Sequence, residues 1–226
     1  DFDSYDYSWW ASSIGSIAYY DWLHTNAFDF NIENNKIYIS HRNLSRITKI
    51  DYPSGNIIWK IGLPAEYNTG SDNICNELLF SFQHHIQLLS NGDLIFFDNG
   101  RQSKMLLNDQ YPISRIHRIK VIDDSYCEKI WSYDLPYNLY GHSMGSVQLL
   151  ENGNYLIYTT AEYYGTGQNN ILEVTPEKEI IYQVKEYNPD SRWYRAFKFP
   201  SIFPSAFSLT ADEYIKDHNG NNFINV

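Results

Sequence analysis

The sequence predicts an all-β protein, a β-propeller assembled from four-stranded antiparallel blades. Three observations predict it. The apolar runs are short, rich in Ile, Tyr and Phe, and bounded by Asn, Gly, Pro and Asp, which is strand rather than helix composition. The phrases Leu88-Leu-Ser-Asn-Gly92 and Leu149-Leu-Glu-Asn-Gly153 place an Asn-Gly turn between two apolar runs, a hairpin signal that occurs twice. Around them, a four-strand phrase returns every ~40–60 residues, the period of a propeller blade.

Residues 1–20 show no period and read as a lead-in segment, with Asp1, Asp3 and Asp6 ahead of Trp9 and Trp10. The first blade covers 21–62: strands at 21–30, 36–40, 46–51 and 56–62, with turns at 32–35 and at Pro53-Ser-Gly55. The second covers 80–134, from the hairpin about Asn91-Gly92 through strands at 114–123 and 128–133. The third covers 142–186, with its hairpin about Asn152-Gly153 and strands at 170–175 and 179–184. Residues 70–76 and 104–110 are polar insertions and read as loops. A closing strand is expected near 194–200, followed by a C-terminal tail, 201–226. Trp59, Trp131 and Tyr182 recur on the fourth strands and are expected in the packed core. Three blades do not close a ring, because propellers carry about four to eight. Residues 1–20 and 187–226, further chain segments or other subunits would complete it.

Composition narrows the function. A chain of 226 residues can bury one substantial core. Its formal net charge of −10 argues against nucleic acid, which rewards Lys and Arg clusters. No 18-residue window is continuously apolar, so no membrane span is expected. No charged n-region and apolar h-region open the sequence, so no signal peptide is visible. Cys75 and Cys127 lack metal-ligand spacing and are either two thiols or one disulfide.

Strand direction then places side chains. In a blade, the start of the first strand, the end of the second and the start of the third share one rim. His24, His84, His85 and His142 lie near first-strand starts. Arg42, Asn43 and the Asp98-Asn-Gly-Arg101 run follow second strands, while Arg46 and Arg115 open third strands. His and Arg around one channel mouth suit an oxyanion. Imidazole is also a nucleophile or proton carrier near neutral pH. Tyr19, Tyr20, Tyr140 and Tyr163 are expected near the same face, able to stack on aromatic rings. His41 and His117 read as structural.

Several of these stretches resemble one family. Asp21-Trp-Leu-His24-Thr-Asn26, Ser40-His-Arg42-Asn-Leu-Ser-Arg-Ile-Thr-Lys-Ile-Asp51, Phe80-Ser-Phe-Gln-His84, Phe97-Asp-Asn-Gly100, Ser114-Arg115 and Met144-Gly-Ser-Val-Gln-Leu-Leu-Glu-Asn-Gly153 are similar to motifs of the arylsulfotransferases. These are bacterial enzymes that do not use the nucleotide sulfate donor PAPS. The resemblance implies a six-bladed propeller, periplasmic or secreted. It implies transfer of a sulfuryl group from an aryl sulfate to a phenol through a sulfated histidine, with no metal or nucleotide cofactor. Carried onto this chain, the catalytic residues are His142, His84, His24, Arg101 and Arg115. The substrate-binding residues are Arg42, Asn26, Asn99 and Tyr140. His142 is the counterpart of the reacting histidine, although the internal repeat aligns Gly145 with His84. Two other readings compete: a non-catalytic extracellular binding or assembly module, and a metal-dependent hydrolase with histidine ligands.

Overall fold

The computed structural model describes residues 11–14, 17–21, 23–161, 168–186, 193–199, 214–216 and 222–224; Tyr163 and His218 lie outside them. The chain forms two units, 1–196 and 197–226. The second contains one described hairpin, β16 (Tyr214–Lys216) with β17 (Asn222–Ile224).

The first unit is built from sheets. Within the lead-in segment, β1 (Ala11–Ile14) pairs with β2 (Ile17–Tyr20). Three larger sheets follow, each running from inner to outer strand in chain order. The first holds β3 (Thr25–Asn31), β4 (Lys36–His41), β5 (Arg46–Asp51) and β6 (Ile57–Gly62). It also gains a short fifth strand, β7 (Asn73–Ile74), parallel to β6, where the sequence predicted only a polar loop. The second holds β8 (His84–Leu88), β9 (Leu94–Asp98), β10 (Arg115–Ile122) and β11 (Tyr126–Asp134). The third holds β12 (Ser146–Leu149), β13 (Tyr155–Thr159), β14 (Asn170–Val174) and β15 (Ile180–Lys185). The inner strand β8 lies beside both β3 and β12, so the sheets follow one another as propeller blades. The 104–110 insertion carries part of the single helical turn α1 (Ser103–Leu106).

Strand alternation builds the cores between blades. Leu94 and Phe96 of β9 face the first blade and join Tyr38, Ile47, Trp59 and Ile61. Ile95 and Phe97 face the third blade and join Val147, Ile157 and Leu172. All of β9 is therefore buried, because both faces of the middle blade are covered. Each such aromatic or aliphatic side chain contributes about 1.5–3 kcal/mol by leaving water. Trp59 fulfils its expected role at 5% exposure, and Trp131 stacks on Tyr155 with ring centroids 3.8 Å apart. Tyr182 does not: it is 54% exposed, on an outer strand whose residues are mostly open to solvent.

The two repeated turns are alike in detail. Leu89 N–H donates to Asp93 O and Gly92 N–H to Leu89 O, both at 2.8 Å. Leu150, Gly153 and Asn154 repeat this pattern. Each loop thus has three residues, with the glycine left-handed (φ 85°), rather than the two-residue Asn-Gly turn that the sequence suggests. Asn91 and Asn152 instead accept from the backbone two residues on, through their Oδ1 atoms. Cys75 and Cys127 form a disulfide, tying the loop after β7 to the outer strand of the second blade.

Candidate active site

The site begins with a buried histidine whose tautomer is fixed. His84 opens β8, and its Nδ1 lies 2.6 Å from Asn99 Oδ1 and 3.1 Å from Phe82 O. Asn99 Nδ2 donates to Gly141 O at 2.7 Å and Met144 O at 2.9 Å, which fixes the orientation of the amide. Both partners of His84 Nδ1 are then acceptors, so Nδ1 carries the proton and Nε2 keeps its lone pair. Burial pushes this imidazole down to about 3, assisted by the nearby cation Arg42 and opposed by the bond to Asn99. It is neutral at pH 7.

The same amide holds His142. The residues clamped by Asn99 bracket a turn, Gly141 to Gly145, that carries His142 just ahead of β12. Gly145 is needed there. Its φ is 105°, and a Cβ would approach the Phe97 ring to 2.7 Å. His142 is half-buried, and its pKa falls to about 4 through burial, then through the charges of Arg101 and Arg42. Both guanidiniums rest against the Phe82 ring, 5.0 Å (Arg42) and 4.6 Å (Arg101) from its centroid. Arg42 also donates to Asn43 Oδ1 at 2.8 Å. Two neutral imidazoles and two guanidiniums thus share one rim of an otherwise acidic chain.

His24 lies just before β3, exposed and left-handed (φ 44°), which delays the strand predicted from residue 21 until Thr25. Its Nδ1 pairs with Asp21 Oδ2, and its carbonyl accepts from Arg42 N at 3.2 Å. Asn26 donates through Nδ2 to Gln83 O at 2.8 Å, while its Oδ1 is buried without a hydrogen-bond partner. Arg115 opens β10 on the expected rim. Its guanidinium is committed to Asp109 at 2.7 Å and Asp134 at 3.2 Å rather than to the histidines. Tyr140 is only 2% exposed and offers little ring surface to a ligand. Asn99 is fully buried, with its amide engaged as described, so it orients the histidines from behind.

The remaining described histidines, His41, His85 and His117, serve the framework. His85 Nδ1 accepts from Val147 N at 3.1 Å, joining the second and third blades. His41 is buried beside Thr25, and His117 beside Asp98. Sequence reasoning did not single out Phe82, the ring under both arginines, or Asp21, whose i,i+3 spacing to His24 was the available signal. It also missed Tyr194, whose ring centroid lies 6.2 Å from that of His84. Among the described residues, no group of three or more His, Cys, Asp or Glu could hold a metal, and no helix is long and apolar enough to cross a membrane.

Fold and site together define a β-propeller protein with a histidine–arginine rim. The chain belongs to the arylsulfotransferase (ASST) family, whose profile matches residues 4–195. No curated protein matches it. Among solved structures, a protein of unknown function from Bacteroides caccae is 15% identical, with 75% of this chain and 48% of that chain covered and a TM-score of 0.47. Virginiamycin B lyase from Staphylococcus aureus is 17% identical, with coverages of 76% and 44% and a TM-score of 0.45. The Cps50 (Swd1) β-propeller domain of Myceliophteria thermophila is 13% identical, with coverages of 72% and 43% and a TM-score of 0.45. The chain spans less than half the length of each of these structures.

Proposed function

We propose that the rim transfers a sulfuryl group from an aryl sulfate to a phenol through His142. The observation that carries this reading is the Asn99 amide, which presents a neutral His84 with its lone pair on Nε2 and fixes the turn that holds neutral His142. In the first half-reaction an imidazole nitrogen of His142 attacks sulfur. The N–S bond forms as the aryl S–O bond breaks, and the phenoxide leaves with the bonding pair. Phenoxide is a competent leaving group, since its conjugate acid has a pKa near ~10. Arg42 and Arg101 supply planar donors to the sulfuryl oxygens as charge builds on them. In the second half-reaction the acceptor phenol donates a hydrogen bond to His84 Nε2 and attacks sulfur; the N–S bond breaks with its pair returning to the His142 nitrogen, and the phenolic proton passes to solvent.

His24, oriented by Asp21, lies on the solvent side of the same rim and assists proton exchange. The Cys75–Cys127 disulfide suits an oxidising compartment, which supports a periplasmic or secreted location. Membership of the family supports aryl sulfates and phenols as the substrate class.

The test uses 4-nitrophenyl sulfate with the intact full-length protein, with and without phenol and with and without chelator. Without phenol, one sulfuryl group should appear on His142, and phenol should discharge it. His142→Ala should abolish labelling and turnover, and chelator should change neither. Labelling that survives in His142→Ala but disappears in His84→Ala would move the nucleophile to His84. A folded protein that neither labels nor turns over would overturn the reading in favour of a binding module.

A further inference from the structure

Residues Trp193 to Ala196 cross the inner strands of the blades as a strap. At one end Tyr158 of β13 bonds Trp193 O, and Ser146, which opens β12, bonds Ala196 through both N (3.1 Å) and O (3.3 Å). At the other end Arg195 Nη2 and Tyr194 Oη both donate to Asn26 O in β3, at 2.8 and 3.3 Å. Between them, the Tyr194 ring meets the His84 ring edge-to-face, at an interplanar angle of 72°. The strap therefore links the first and third blades and passes His84 on the way.

Tyr194 combines exposure with a fixed orientation. It is 45% exposed, yet three contacts hold it: its hydroxyl on Asn26 O, its ring edge-to-face with His84, and the Arg195 guanidinium 5.1 Å from its centroid. An exposed aromatic is ordinary on a protein surface. One fixed in orientation beside a buried imidazole with a free lone pair is a preorganised platform, because little side-chain freedom remains to be lost when a ring stacks on it.

We propose that Tyr194 is the aryl-binding wall of this site, a platform on which the aromatic ring of each substrate stacks while its sulfur or oxygen faces the histidines. The assignment rests on the sulfuryl-transfer reading and adds the element that selects aryl over alkyl groups. Donor and acceptor are both aryl groups, so one wall serves both half-reactions. Arg195, folded over the same ring, adds a cation to the wall and favours rings that carry an anionic group.

The experiment measures equilibrium binding of 4-nitrophenol, which carries no sulfuryl group, to the intact full-length protein. Tyr194→Ala should weaken binding about 3- to 10-fold, while Tyr194→Phe and Tyr194→Trp stay within about 2-fold of wild type. Tyr126→Ala, at the β10–β11 turn on the opposite rim, should bind as wild type does. With substrate turnover, Tyr194→Ala should raise KM for phenolic acceptors far more than it lowers kcat. Equal binding by wild type and Tyr194→Ala would overturn the wall and leave the sulfuryl-transfer reading intact. So would histidine labelling in a wild-type protein that binds no 4-nitrophenol. Absence of both labelling and binding would overturn the parent reading and the wall with it.

Discussion

Asn99 Oδ1 accepts from His84 Nδ1 at 2.6 Å, and the other end of the same amide grips the carbonyls of Gly141 and Met144. One buried side chain thus sets the tautomer of one histidine and the backbone that presents the other. Asn99→Ala strands one N–H and two carbonyls, and each unpaired group costs about 1–3 kcal/mol. A loss of about 2–4 kcal/mol is expected in denaturant unfolding, because the two carbonyls can relax in part. Histidine labelling should slow more than that of a surface variant with equal stability loss. Equal slowing would show that Asn99 acts through stability alone.

The arginines should be separable by the histidines they influence. Arg42 lies close enough to depress both His84 and His142, whereas Arg101 acts on His142. Removing a cation lets the imidazolium form more readily, so the pKa rises. Arg101→Gln should raise His142 and leave His84 in place, while Arg42→Gln raises both. Imidazole resonances followed by NMR through an acid titration check this.

Much of the blade architecture was legible. The Leu-Leu-x-Asn-Gly repeat marked two equivalent hairpins, and strand direction brought His84, Arg42 and Arg101 to one rim. Local detail was less legible. An Asn-Gly pair serves a two-residue or a three-residue loop, and only the pairing of Leu89 with Asp93 selects the second. The delayed start of β3 depends on His24 turning left-handed to meet Asp21, which no period reveals. Arg115 shows the limit of topology: it starts its strand on the expected rim, but Asp109, in a loop without a readable period, claims its charge. Tyr194 was hidden for another reason. Its hydroxyl meets a carbonyl 168 residues away, a contact that no local pattern encodes.

Acid should destabilise the protein earlier than carboxylate titration alone would. His41 and His85 titrate at about 4 and His84 at about 3 in the folded chain, all lowered first by burial. Unfolded, each titrates near ~6.5. Between those values the unfolded state binds protons that the folded state refuses, so stability falls as pH drops from about 6.5 towards 4. The slope is at most about 1.4 kcal/mol per pH unit for each histidine. His85→Gln should flatten it in urea midpoints measured across this range. Labelling of His142 should persist to about pH 5, because a group that titrates at about 4 is still neutral there. An acid limb centred near pH 6.5 would contradict that.

The disulfide closes a sequence separation of 52 residues and joins the loop after β7 to the second blade. Loop-closure entropy of that size is worth about 4 kcal/mol, with engineered removals commonly showing about 2–5. Cys127→Ser should lower unfolding free energy within that range without changing 4-nitrophenol binding. Unchanged stability would mean that the reduced chain keeps the loop closed by packing alone.

The final prediction concerns the turn under His142. Gly145 and Gly153 both have positive φ, at 105° and 85°, but their surroundings differ. A Cβ on Gly153 meets nothing within 4 Å, whereas one on Gly145 meets the fully buried Phe97 ring at 2.7 Å. Gly153→Ala therefore reports the backbone penalty alone, about 1–2 kcal/mol. Gly145→Ala adds a clash that Phe97, packed among Ile116, Val147 and Ile157, cannot yield to without opening the core between the blades. The backbone must then shift, and it carries Met144 O away from Asn99. Gly145→Ala should lose roughly 1–3 kcal/mol more than Gly153→Ala in thermal or urea unfolding. It should also slow His142 labelling while Gly153→Ala labels normally. If the two variants lost equal stability and labelled alike, the position of His142 would not depend on the Gly145–Phe97 contact.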